Sequence, residues 1–351
     1  THLASSAASD VYKRQTYAIA WLTRSPRDFQ LCLYFFTIAG AAVGGVALFN
    51  KSAGIGLVEG TRVTVGRDIG SVLGDPNDLA LVLMFPISFA VSLMLNRGLG
   101  RIAKIVGFVA TIVLFSAVIA TQSRGGLLGV MAVFGLFAYR RIQSKALFFA
   151  GGAIAAMALF VMAGISDRAS GGAAEEGIDA SAMGRIWAWQ AAWGMALANP
   201  LTGVGLKNFY SNYYFYSPHW DGLNHAVHST WFGVMAETGL VGIVVFVGMV
   251  VKLVIDALKS TDNAIARGAP YAIRAASEAN LAAILGVAVS GTFLTQGFTW
   301  PIYIIASLVI AMNQWQRDHL PPPENSSPVK RTKTSDENHD TGLAPRSNNS
   351  S

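Results

Sequence analysis

Charged residues are scarce in this 351-residue sequence. They make up 13% of it, about half of the roughly 25% that is typical of soluble domains. Hydrophobic residues make up 52%, and the mean hydropathy is +0.43. Such a chain cannot cover a water-facing surface with polar groups, which excludes an ordinary soluble enzyme and a disordered protein. The composition predicts a multi-pass membrane protein.

Cysteine is almost absent, and the first residues do not resemble a secretory signal. Cys32 is the single cysteine, which excludes a disulfide framework and a cysteine-based zinc site. The first residues lack the apolar centre of a signal peptide, and the run from Asp10 to Gln15 looks unrelated to the rest of the chain. We therefore expect residues 1–29 to form a cytoplasmic segment whose start is truncated or partly artefactual.

Long apolar runs dominate what the sequence does contain. They predict transmembrane helices, which together define a transmembrane domain over residues 30–315. The predicted fold class is therefore all-α, a polytopic helix bundle with one large extracytoplasmic loop. The eight predicted spans are 30–49, 77–95, 105–120, 126–139, 146–165, 229–251, 280–297 and 300–315.

Lysine and arginine are distributed unequally between two alternating sets of connecting segments. The set that includes both ends of the chain holds 19 of them, and the other set holds 7. The positive-inside rule places the richer set in the cytoplasm. The long segment 166–228 is then a large periplasmic loop. The tail 316–351 has almost no apolar residues, so we expect it to be cytoplasmic and disordered.

A short polar turn over residues 121–126 separates two predicted helices and contains Arg124 as its one charge. A lone arginine at a helix end commonly extends to lipid phosphate groups. Alternatively, the glycine-containing turn fixes this guanidinium at the mouth of a membrane cavity. There it could bind a phosphate through two parallel hydrogen bonds.

A helix predicted over residues 183–198 carries Arg185 and Trp189, which are four residues apart and therefore share one face. One interpretation is an interfacial helix with an aromatic belt. In the other interpretation, Arg185 is a second arginine that binds an anion, and the aromatic side chains of the helix stack on sugar rings. The Gly-x-Gly at 203–205 predicts only a turn, because no Lys-Ser/Thr comes after it and no strand precedes it.

Half of the six histidines lie in one outer stretch, as His219, His225 and His228. His228 stands at the start of a predicted helix, where a neutral imidazole could take a proton from a hydroxyl. His225 could orient His228 or the acceptor, or could have no role. A metal-binding triad of Asp221, His225 and His228 on one helical face is an alternative. The glycine and asparagine between them disfavour a helix there, so no metal site is predicted.

Two acidic residues are further candidates. Glu237 lies inside the helix that begins after His228, and an intramembrane carboxylate is a candidate functional group. The alternative is a structural, hydrogen-bonded carboxyl group. Asp75 or Asn77 is expected to cap the helix that begins near Pro76, with substrate contact as the second interpretation.

The turn with Arg124, the helix with Arg185 and Trp189, the stretch with His228 and the helix with Glu237 follow one another along the chain. In this order they resemble the motifs of the O-antigen ligase and O-antigen polymerase superfamily, over roughly residues 68–250. The His-Ser pair is similar to the branch of O-glycosylation ligases associated with exosortase systems. The number of helices is lower than is usual in the family, which a truncated N-terminus would explain. The motifs that carry the resemblance are Ser123–Gly125, Arg185 with Trp189, Asn199–Phe209, His228–Ser229 and Glu237–Gly242.

The resemblance implies a glycosyltransferase of the bacterial inner membrane. Members of the family move a glycan from a polyprenyl diphosphate carrier, such as undecaprenyl diphosphate, to an acceptor hydroxyl on the periplasmic side. The acceptor is lipid A-core in lipopolysaccharide, a protein or a growing polysaccharide, and membrane lipids surround the enzyme. No cofactor, nucleotide sugar, metal or nucleic acid is implied. On this chain the catalytic residues would be His228, Arg124 and Arg185, with Trp189, His225 and Glu237 on the substrates.

Three other functions stay open on the sequence alone. One is a non-catalytic scaffold of an envelope assembly complex, which would tolerate loss of Arg124 and His228. A polymerase of O-antigen or exopolysaccharide would use another repeat unit as its acceptor. A transporter of polysaccharide or lipid should carry polar residues deep in several helices and should contain broken helix pairs. Here the polar residues are concentrated in the outer segments, which favours an enzyme.

Overall fold

The computed structural model of the chain describes residues 14, 16–162, 180–220, 222–295 and 297–321. Most of the predicted cytoplasmic tail and part of the predicted periplasmic loop lie outside these ranges. The described residues form helices and no β-strand, which confirms the all-α fold class. The helices named below are α1 (Pro26–Ala53), α2 (Pro76–Leu95), α3 (Gly100–Thr121), α4 (Arg124–Arg141), α5 (Lys145–Met162), α6 (Ala180–Ala198), α7 (Phe209–Tyr216), α8 (Thr230–Ala266), α9 (Tyr271–Gly291) and α10 (Trp300–His319).

Within the described residues, five helices are long and apolar enough to cross a membrane: α1, α2, α3 with the turn before it, α8 and α9. Each of the eight predicted spans overlaps a helix. Helices α4 and α10 are not long and apolar enough to count among the five, and α5 is counted only over Lys145–Ala158, as a shorter apolar helix. Helix α4 begins and ends with arginine, and α10 ends in polar residues. Helix α5 is apolar throughout after Lys145. The chain is a multi-pass helical membrane protein, and its described residues contain fewer full-length spans than the eight predicted.

Helices α2 and α9 form the centre of the bundle, and most of their side chains are buried. Helix α1 crosses α2 where Gly40 meets Pro86, since a methyl group on Gly40 would lie 2.1 Å from the Pro86 Cβ atom. Close approach through small residues is the usual way in which helices pack in lipid. Of the five long apolar helices, α2 and α9 are therefore mostly buried, whereas α1, α3 and α8 are mostly exposed.

The predicted span 280–297 is wrong in its position, because α9 runs from Tyr271 to Gly291. Its first half carries polar residues among alanines, and a search for apolar runs passes over it. Those polar residues are paired inside the bundle. Glu278 is only 7% exposed, and it accepts hydrogen bonds from both Nη atoms of Arg141 at 2.7 and 2.9 Å.

Side-chain contacts sort the connecting segments into two ends of the bundle. At one end, here called the site end, Arg62 contacts Thr121 and Asn77, and Thr230 contacts Leu294. At the opposite end, Arg141 and Asn96 both donate to Glu278, and Arg140 donates to Asp262. The described parts of the segments that are poor in lysine and arginine lie at the site end, and the described parts of the rich segments within residues 16–320 lie at the opposite end.

Candidate active site

A loop over residues 58–65 lies across the site ends of α2 and α3 and is fixed there by Arg62. This side chain is 6% exposed. It donates from Nε to the Thr121 carbonyl at 3.1 Å and from Nη2 to the Asn77 Oδ1 atom at 2.9 Å. Sequence analysis missed Arg62, and the structure shows that it joins the turn before Arg124 to the start of α2.

The turn between α3 and α4 is as tight as predicted, with Gln122 in the left-handed region at φ +50°. Ser123 is buried and caps α4, since its hydroxyl accepts from the Gly126 amide at 3.2 Å. Arg124 is the first residue of α4, with an exposed side chain. The N-terminus of a helix attracts anions through its unpaired amides and its dipole. Arg124 therefore adds a full positive charge to a partial one.

Asp75 caps α2, as predicted. Its carboxylate accepts from the amides of Asn77 at 2.7 Å and Asp78 at 3.3 Å. Arg62 contacts the side chain of Asn77, whose amide donates to Asp75. The start of α2 is therefore fixed by the carboxylate of Asp75 and by the guanidinium of Arg62.

Helix α8 is interrupted at Gly239, whose φ of +72° and ψ of −171° are not helical. The interruption leaves backbone groups of α8 without helical partners, and the loop that begins at Asn199 supplies them. A methyl group on Gly203 would lie 2.4 Å from the carbonyl oxygen of Ala236, so the two backbones touch. The joining hydrogen bonds run from the Val204 amide to the Ala236 carbonyl (2.9 Å), from Gly205 to Glu237 (3.2 Å) and from Leu240 to Pro200 (2.7 Å).

The Glu237 side chain serves the same junction. Its carboxylate accepts from the Phe209 amide at 3.3 Å and from the Lys207 amide. These amides stand at the start of α7, so Glu237 fixes the loop between α6 and α7. The structure therefore contains the hydrogen-bonded, structural role that the sequence left open as an alternative for Glu237. Substrate binding by Glu237 stays a prediction.

Helix α6 runs over Ala180–Ala198 and confirms the helix predicted at 183–198. Trp189 on this helix donates from its indole Nε1 atom to the Val227 carbonyl at 3.0 Å. Its ring stacks on Phe232 with 5.1 Å between centroids and 9° between planes. Trp189 therefore anchors the segment that leads to His228. Its predicted contact with sugar rings is not tested by these distances.

His228 has a strained backbone, with φ at +45°. A non-glycine residue in such a region costs about 1–3 kcal/mol and is often found at functional sites. The residues on both sides hold it there. Val227 is buried and bonded to Trp189, and the Ser229 hydroxyl caps α8 by accepting from the Phe232 amide at 3.5 Å.

The environment of His228 favours its neutral form. Burial lowers the pKa of His228 below its ordinary 6.5, and the positive charge of Arg185 lowers it further. His225 and Arg62 lower this pKa as well, whereas the Asp75 carboxylate raises it. A neutral imidazole at pH 7 can accept a proton. The structure thus brings Arg185, Asp75, His225 and Arg62 within electrostatic range of His228.

Arg124 lies at the site end, where its neighbour Gly125 packs against the segment that follows α9. A methyl group on Gly125 would lie 3.1 Å from the Phe293 Cβ atom. The next residue, Leu294, accepts a hydrogen bond from the Thr230 hydroxyl at 2.6 Å. The start of α4 and the start of α8 are therefore linked through the segment that follows α9.

A helical metal-binding face is not present. The described residues 222–229 are not helical, so His225 and His228 do not share a helix face, and Asp221 lies outside the described residues. In the described part of the chain no three His, Cys, Asp or Glu side chains are grouped to hold a metal ion. The His225 ring instead meets the Tyr213 ring edge to face, with 5.4 Å between centroids.

The fold and this end of the bundle define a class of protein: a multi-pass helical membrane protein with a half-buried histidine whose pKa is lowered by burial and by nearby arginines. Residues 109–247 match the family model described as O-antigen ligase. The match confirms the resemblance to the O-antigen ligase superfamily. It supports a role for this chain in glycan transfer at a membrane, and it indicates an enzyme. A comparison with curated proteins found no similar chain.

Proposed function

We propose that this protein transfers a glycan from an undecaprenyl-type polyprenyl diphosphate to an acceptor hydroxyl. The reaction takes place at the site end, on the periplasmic side of the bacterial inner membrane. The observation that carries the proposal is the half-buried His228, which is held at a φ of +45° within electrostatic range of Arg185, in a segment that matches the O-antigen ligase family.

The reaction needs one base and a stabilised leaving group. The acceptor oxygen forms a bond to the anomeric carbon of the donor sugar while the bond from that carbon to the diphosphate oxygen breaks. The acceptor proton passes to the imidazole of His228. The polyprenyl diphosphate leaves with the bonding electron pair, and guanidinium groups stabilise its added negative charge. The products are a new glycosidic bond and free polyprenyl diphosphate.

Arg124 and Arg185 bind the diphosphate in this proposal. A guanidinium presents a planar fork that matches two phosphate oxygens, which an ammonium group cannot do. The two guanidinium groups supply the positive charge that a metal ion provides in other glycosyltransferases. The enzyme is therefore expected to work without metal. Trp189 and Glu237 act as positioning residues through their backbone contacts. His225 is assigned to the acceptor side.

The acceptor separates the two candidate activities. A ligase uses lipid A-core or a protein, and a polymerase uses another repeat unit of the glycan. Both reactions share the same donor and the same base, so the proposed site serves either. The acceptor range measured with purified protein decides between them.

The test is reconstitution in liposomes with a defined undecaprenyl-diphosphate glycan and each acceptor class, with mass analysis of the products. We expect transfer, and at least a tenfold lower turnover for Arg124→Lys and for Arg185→Lys, about 1.4 kcal/mol of lost transition-state binding. Arg101→Lys, at the opposite end, is the matched control and should keep normal turnover.

The same assay tests independence of metal. Exhaustive EDTA treatment should leave turnover unchanged. If activity is lost on chelation and one divalent ion restores it, the diphosphate role of the arginines is wrong. If folded protein transfers no glycan to any acceptor class, the proposed activity itself is wrong.

A further inference from the structure

A polar cleft of about 410 Å³ lies between α8 and α10 at the opposite end of the bundle. Four cationic side chains line it: Lys252, Lys259, Arg267 and Arg317. Asp256 is its one acidic residue, three amide side chains complete the polar wall, and a single isoleucine is apolar. The lining therefore carries a net charge of three positive units.

Part of this charge is not neutralised by the protein. Lys252 pairs with Asp256 at 2.7 Å, and Arg267 donates to the Asn263 side chain at 3.3 Å. Lys259 and Arg317 make no ion pair with any residue that the structure describes. Two cations that converge on one cleft repel each other, so a bound anion would stabilise this arrangement.

The floor of the cleft is fixed. Gln316 is 4% exposed, and its amide donates to the carbonyl and to the hydroxyl of Ser260, both at 2.9 Å. The Ser260 hydroxyl in turn lies 3.3 Å from the Ser277 hydroxyl of α9. Three helices are tied together below the cations, so the cleft is formed before any ligand enters it.

The cleft is bordered by surface that faces lipid. On α8, Val251, Ile255 and Leu258 are 50%, 42% and 38% exposed and alternate with the cationic residues. On α10, Ile310 is 51% exposed and belongs to the cleft itself. In a membrane such side chains contact acyl chains. A ligand in the cleft would thus meet cations with one part and apolar side chains with another.

The depth of the cleft fits lipid headgroups. Gly239 lies at the site end, and Lys252 is thirteen residues further along α8, about 20 Å at 1.5 Å per residue. The hydrocarbon core is about 30 Å thick, and a lysine side chain extends several ångströms towards water. The cations therefore lie near the headgroups of the leaflet opposite the site end.

We propose that this cleft binds the phosphodiester headgroup of an anionic phospholipid such as phosphatidylglycerol, with its acyl chains along α8. Basic pockets between helices at the membrane surface are suited to such headgroups. The inference is independent of the glycan-transfer chemistry, because none of the cleft residues belongs to the site end.

The test is lipid binding to delipidated, purified protein, measured by native mass spectrometry and by titration. Phosphatidylglycerol should bind, and phosphatidylcholine should bind far more weakly. The double variant Lys259→Gln with Arg317→Gln should bind phosphatidylglycerol roughly 30-fold more weakly, from about fivefold for each cation. The matched control is Arg101→Gln with Lys104→Gln, which removes the same charge at the same end outside the cleft and should bind normally.

Two further arms cover the other outcomes. Excess glycerol phosphate should not displace the lipid, and full displacement would mean a site for soluble anions instead. A photoreactive phosphatidylglycerol should label peptides covering 252–267 and 310–317 of the unmodified protein, even if the double variant fails to fold. Equal weakening in both double variants, or labelling elsewhere only, would show general charge attraction and overturn the proposal.

Discussion

At the scale of single residues, the backbone of His228 affects how its chemistry must be tested. Alanine at this position would bear the cost of a φ of +45°, so it would change the fold and the base together. Asparagine tolerates the left-handed region better than most residues. It cannot take up a proton as imidazole does, which makes His228→Asn the cleaner variant.

We expect His228→Asn to lose 10²–10⁴-fold in turnover, the usual contribution of a general base. Donor binding and the melting temperature should stay near their normal values. His225→Asn is the matched control and should lose less, because His225 is assigned to orientation. Steady-state assays of both purified variants give the comparison. If His225→Asn is inactive and His228→Asn is active, the base has been assigned to the wrong histidine.

The pH dependence of turnover should report the charges around His228. The base is active when neutral, so activity should rise with pH through the pKa of His228, which burial and Arg185 hold below 6.5. Arg185→Gln removes a positive charge and should move this limb to higher pH. Asp75→Asn removes the charge that raises this pKa and should move the limb to lower pH, while asparagine still caps α2. Shifts of both limbs in the same direction would contradict the assignment.

Single residues also show where prediction from sequence succeeded and why it missed others. Asp75 was predictable as a cap, because capping depends on neighbours along the chain. Arg62 was not, because its partners Thr121 and Asn77 are 59 and 15 residues away. The position of Arg185 beside His228 is expected from the resemblance but not from spacing alone.

At the scale of elements, the junction between α8 and the loop after α6 organises the site. A helix break leaves backbone groups unpaired, and each unpaired buried group is costly. Here the loop supplies partners for the break at Gly239, and Glu237 fixes the start of α7. This positions α6, which carries Arg185 and Trp189, against the start of α8.

Gly203→Ala tests the importance of this junction. Alanine at a φ of +62° costs about 1–2 kcal/mol by backbone conformation alone, and its methyl group would also lie 2.4 Å from the Ala236 carbonyl oxygen. We expect a lower melting temperature and a loss of turnover. Gly54→Ala is the control, since Gly54 has a φ of +69° but open space around it. It should lose stability by backbone strain only and keep its turnover. Equal effects of the two variants on turnover would mean that the junction does not position the site.

Helix α9 illustrates an element that sequence patterns describe poorly. Hydropathy locates helices that face lipid, and it is weakest for a central helix whose polar residues pair inside the protein. Glu278 and Ser277 make the start of α9 look like a connecting segment, although both are buried. Their partners lie on α4 and α8, and no local pattern shows that these helices meet.

At the scale of the whole molecule, one bundle has two ends of different character. The site end collects helix starts, caps and the strained His228, and the opposite end collects cationic side chains. Helix starts favour anions through their dipoles, so the diphosphate of the donor would be attracted to the site end. The distribution of lysine and arginine predicts that the opposite end faces the cytoplasm. The orientation of the chemistry therefore depends on a charge count that labelling can test.

Membrane orientation should appear as opposite labelling of two engineered cysteines in a Cys32→Ala background. Ser211 on α7 and Ser144 between α4 and α5 are both exposed, and they lie at the site end and the opposite end. In intact spheroplasts an impermeant thiol reagent should label Ser211→Cys within minutes and leave Ser144→Cys unlabelled until the membrane is opened. The physical reason is the cost of moving arginine and lysine across the hydrocarbon core, which retains the richer segments inside. Labelling of Ser144→Cys alone would show that the protein has the opposite orientation in the membrane. His228 would then face the cytoplasm, and the proposed donor, which is consumed on the periplasmic side, could not reach it.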